Sequence, residues 1–122
     1  MTNTETSAEN VLTSLETDCV MILSTTPDLL LAKRIAHILV EEKLAACVQL
    51  QPSLLSIYEW QGQMQGEQEV GLIIKTSQAI YKDTVNRIVQ LHPYEVPEIV
   101  VLPIKDGHQP YLKWVNQQTT PN

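Results

Sequence analysis

The chain has 122 residues, 43% of them hydrophobic, which is enough for one domain to bury a core without disulfide or metal staples. Its 14 acids against 8 bases leave a formal charge of -6, and that balance excludes a phosphate-tracking surface, so no nucleic-acid partner is expected. No apolar run approaches the roughly 20 residues needed to cross a bilayer, so no membrane partner is expected either.

Residues 1–17 are rich in Thr, Ser, Asn and Glu and read as a flexible N-terminal extension, in which Leu12 and Leu15 could at most start a short helix. They lack the apolar stretch of a signal peptide. Cys19 and Cys47 lie in apolar runs with no CxxC spacing, as buried, reduced thiols of a cytoplasmic protein would. Residues 18–24 form a compact apolar run, the first strand. Thr26-Pro27-Asp28 then reads as a helix start, with Thr26 at the N-cap and Pro27 in the first helical position. The helix runs to about Leu44. Ala32, Ile35, Ala36, Leu39 and Val40 make its buried stripe, and Lys33, Arg34, His37 and Glu41 its solvent side.

From Ala45 to Trp60 the pattern is that of a strand, interrupted at Pro52-Ser53, where a bulge, bend or exposed edge is expected. Residues 61–65 connect it as a hairpin to a third strand marked by Val70, Leu72 and Ile74. Thr76 or Ser77 is placed to cap a second helix with Ile80, Thr84, Val85, Ile88 and Leu91 inside, and His92-Pro93 stops it. Residues 99–104 form a fourth strand, Asp106-Gly107 a turn, and Pro110 opens a last helix with Tyr111, Trp114 and Val115 on one side. The whole is α+β: βαββαβ plus a C-terminal helix, a split βαβ arrangement with an antiparallel sheet. It occupies residues 18–117 as a single domain, with 118–122 a flexible tail.

An antiparallel sheet with helices on one face should alternate apolar and polar residues. These strands do not: Val20-Met21-Ile22-Leu23 and Ile99-Val100-Val101-Leu102 are apolar at both parities. One short helix cannot cover the second face, so sister chains are expected to cover the remainder.

Five segments in fixed order carry a family likeness. They are Glu42-Lys43-Leu44-Ala45-Ala46-Cys47-Val48; Ser56-Ile57-Tyr58-Glu59-Trp60-Gln61-Gly62; Glu67-Gln68-Glu69 leading into Ile74-Lys75-Thr76; His92-Pro93-Tyr94-Glu95-Val96-Pro97-Glu98-Ile99; and Tyr111-Leu112-Lys113-Trp114. Over residues 32–114 the chain resembles the CutA divalent-cation tolerance family. The resemblance implies a ferredoxin-like fold, a tight homotrimer similar in architecture to PII signalling proteins, and a role in tolerance of copper and other divalent metals.

Two readings of His92-Pro93-Tyr94 stand side by side: a helix stop with a Tyr packed beneath it, or an exposed corner where the His92 imidazole reaches a metal with Glu95 and Glu98 nearby. Some bacterial members of the family are associated with a copper site resembling a Cys at the end of the first strand and a His-His pair before Pro-Tyr. Here those positions hold Ser24 and Leu91, so His92 stands alone, a weak set for copper, and no cofactor is required. Tyr58, Trp60 and Trp114 read as interface or core packing, and Lys75 as the partner of Glu67 or Glu69 across the hairpin or a subunit boundary. No nucleophile-base constellation or phosphate-cradling glycine loop points to an enzyme. The alternative function is a PII-like trimeric scaffold or signalling protein that binds a small ligand or partner between subunits.

Overall fold

A computed structural model describes residues 17–120. In chain order the elements are β1 (Cys19–Thr26), α1 (Leu29–Glu41), β2 (Cys47–Trp60), β3 (Gln63–Ser77), α2 (Tyr81–Leu91), β4 (Ile99–Pro103) and α3 (Gln109–Gln118). The strands form one antiparallel sheet in the order β2-β3-β1-β4, the ferredoxin-like topology expected of βαββαβ. Because side chains alternate along a strand, Ile22, Leu72 and Ile74 share one face, where they pack against Ala32, Ile35 and Leu39 of α1 and Ile88 of α2. Cys19, on the other parity, packs with Ala46, Leu112 and Val115 under α3. β1 is therefore buried from both sides at its start, which is why its run is apolar at both parities.

Three local expectations are corrected. Thr26 does not cap α1; it is the last residue of β1, and its hydroxyl donates to Asp28 O at 2.9 Å. Asp28 is the cap, its carboxylate accepting from the Leu31 N–H at 2.8 Å, so Pro27 lies outside the helix. Neither Thr76 nor Ser77 caps α2. Both stay in β3 opposite Val20 and Cys19, and their hydroxyls donate to Leu44 O at 2.7 Å and Thr119 O at 3.3 Å. The N-cap of α2 is Ile80, without a side-chain cap bond. In α3 the inward residues are Leu112 and Val115, while Tyr111 and Trp114 sit half-exposed on the outer side.

The expected ends of the domain are also packed. Thr17 bonds Ile104 O through both its N–H (3.1 Å) and its hydroxyl (2.7 Å). Thr119, placed by sequence in the tail, is fully buried, and its hydroxyl donates to Val115 O at 2.8 Å. The rest of the N-terminal extension, with Leu12 and Leu15, lies outside the described residues.

β2 and β3 outrun the sheet. The last pair made by β1 is Thr26 with Val70, yet the β2-β3 pairing continues from Leu54 opposite Glu69 to Trp60 opposite Gln63. That is roughly 20 Å of two-stranded ribbon at the usual rise per residue. The ribbon begins at a bulge: between Gln51 and Leu54 the register slips, and Ser53 takes a φ of 69°. The Pro52-Ser53 interruption is thus a bulge, which twists the pair as it leaves the sheet. At this crossing a Cβ on Gly71 would stand 2.6 Å from Leu54 Cδ1, so only glycine lets the strands close here without a shift. The ribbon ends in a tighter turn than expected. Gln61 and Gly62, with φ of 51° and 79°, make a two-residue turn with the primed geometry that matches strand twist.

Candidate functional site: an acidic cleft at the root of the ribbon

His92 ends α2, its backbone N–H bonded to Ile88 O at 2.9 Å and its own φ/ψ turned to extended. The residue is 8% exposed, so the expected exposed corner is in fact a buried one. Nε2 lies 2.7 Å from Thr25 O, and the Tyr94 N–H donates to Nδ1 at 3.1 Å. A carbonyl only accepts and an amide N–H only donates, so the proton belongs on Nε2 and both ring nitrogens are engaged. The ring also packs on Tyr94, with centroids 4.7 Å apart at 55°. Ser24 does a parallel job next to it. Its hydroxyl donates to Glu98 O at 2.7 Å, pinning the segment that leads into β4.

Held this way, residues 94–98 face the ribbon across an open cleft of about 960 Å³. Tyr58, Trp60, Glu67 and Glu69 line the ribbon wall, Tyr94, Glu95 and Glu98 the opposite one, with Thr25 between. Among the described residues the lining holds four carboxylates and no Lys, Arg or His. The phenols feel this field. The Glu67 carboxylate, as hydrogen-bonding partner, pushes the Tyr58 phenol above its usual value, with burial and Glu69 adding to it. For Tyr94 burial is the larger cause, followed by Glu69 and Glu67.

The residues singled out in sequence therefore part company. Glu95 and Glu98 open onto the cleft, whereas His92 turns inward beneath it. Among the described residues no three of His, Cys, Asp or Glu converge closely enough to hold a metal ion. Within the chain, Glu67 and Glu69 do not pair with Lys75 across the hairpin. That ammonium donates to Gln49 Oε1 at 2.8 Å and lies 5.9 Å from the Tyr111 ring centroid. The sequence did carry a signal for this wall. Tyr58 lies opposite Gln65 and Ser56 opposite Glu67, so one parity of the hairpin collects the aromatic and acidic side chains.

The profile of the CutA1 divalent ion tolerance protein family matches residues 20–118. This chain belongs to that family. The divalent-cation tolerance protein CutA of Thermus thermophilus is 46% identical over 99 residues, covering 81% of this chain and 96% of the relative. The chloroplastic CutA protein of Arabidopsis thaliana is 39% identical over 82% of this chain, which spans 55% of that relative's length. The crystal structure of CutA from Xylella fastidiosa is similar with a TM-score of 0.83 at 40% identity, covering 84% of this chain and 99% of that one. The CutA1 match takes in nearly all of β1 through α3, so the ribbon and both walls of the cleft lie inside it.

Proposed function

We propose that the chain is a divalent-cation tolerance protein, without a catalytic step, that works as a homotrimer in the cytoplasm. The observation that carries this reading is the family match across nearly the whole sheet and all three helices. Self-association is supported by apolar surface that one chain leaves open. Val100 and Leu102 on the outer parity of β4 are 48% and 37% exposed, and the ribbon adds Leu55, Ile57 and Met64. The cytoplasmic placement is supported by the two free thiols, of which Cys19 is buried. Burial raises the Cys19 thiol above its ordinary value and makes it inert.

Metal contact in this reading is weak and involves His92 with Glu95 and Glu98. Copper prefers thiolate with imidazole, and the strand-end position holds Ser24, whose hydroxyl is bonded to Glu98 O. A metal at His92 has to displace the Tyr94 N–H from Nδ1, which opposes binding. Calorimetric titration with Cu²⁺ is expected to give a small heat that disappears in His92→Ala; equal heats in the two proteins remove His92 from the metal reading. Light scattering is expected to give three times the 13.8 kDa of one chain. A second reading, a PII-like scaffold that takes a small ligand between subunits, is favoured by the large cleft and its unbalanced carboxylates.

A further inference from the structure

We draw no further inference here: the strongest candidate, the apolar groove between α1 and the edge strand β2 that Ala36, Val40, Val48 and Leu50 line, is an unpartnered face, and nothing in the structure shows what covers it.

Discussion

His92 joins three parts of the molecule through one ring: the end of α2, the end of β1 through Thr25 O, and the cleft segment through the Tyr94 N–H. Truncation leaves a carbonyl and an amide without their partner in a buried place. His92→Ala is therefore expected to cost about 1–3 kcal/mol in urea denaturation. His92→Gln, able to donate and accept, should recover part of that loss; no loss in the alanine variant would show that water serves both groups. The two phenols make a separate prediction about pH. Each holds its proton more tightly in the fold than in the unfolded chain, so its contribution to stability is complete below the ordinary phenol value of 10.0 and is lost as pH rises through the higher folded value. Glu67 is the leading cause for Tyr58, and burial for Tyr94. Glu67→Gln should thus lower the Tyr58 midpoint more than that of Tyr94 in an ultraviolet difference titration, with Tyr58→Phe identifying the signal. At this scale the sequence was readable in chemistry but not in direction. His92-Pro93-Tyr94 announced a helix end and an imidazole, yet the carbonyl that receives that imidazole is 67 positions away.

Order and type of element were legible because hydrophobic period is a local property: α1 buries Ala32, Ile35 and Leu39 of its expected stripe and α2 buries Thr84 and Ile88, but Val40, expected inside at the end of α1, is 44% exposed. Caps were less legible. Thr76 and Ser77 have the side chains of a helix start, but β1 pairs with β3 as far as Ser77 and keeps both residues extended, and Ile80 takes the cap position. Pairing of Thr76 with Val20 and of Ser77 with Cys19, far away in the chain, outweighs a local preference worth about 1 kcal/mol. The cleft's ribbon wall escaped for a related reason: the bulge at residues 52–53 resets which parity faces which way, and its register slip is set by β3. The same crossing yields a prediction for the element as a whole. Gly71→Ala places its Cβ against Leu54 Cδ1, the movable tip of a side chain, so the strands can adjust. The cost should be about 1–2 kcal/mol. In a double-mutant cycle Leu54→Ala should relieve roughly 0.5–1 kcal/mol of it. Strict additivity would mean that the backbone, and not Leu54, absorbs the added methyl.

On the scale of the whole molecule the ribbon is the feature a lone chain cannot justify. A two-stranded hairpin is at best marginally stable in water, yet this one extends beyond β1 with Leu55, Ile57, Trp60 and Met64 exposed by 63%, 65%, 60% and 73%. Single exposed apolar residues are ordinary, as Leu30 is on α1 at 80%; Leu55, Ile57 and Met64 share one face of the projecting ribbon and form a surface that gains by being covered. If sister chains cover it, association and stability are one equilibrium, and the midpoint of thermal unfolding rises with protein concentration. Leu55→Glu and Ile57→Glu should then lower the mass seen by light scattering toward the 13.8 kDa of one chain and flatten that dependence on concentration. Leu30→Glu, an equal insult to hydropathy elsewhere on the surface, should leave both unchanged. Ribbon variants that keep the wild-type mass would place the contact between chains on the outer face of β4 instead, where Val100→Glu becomes the decisive change.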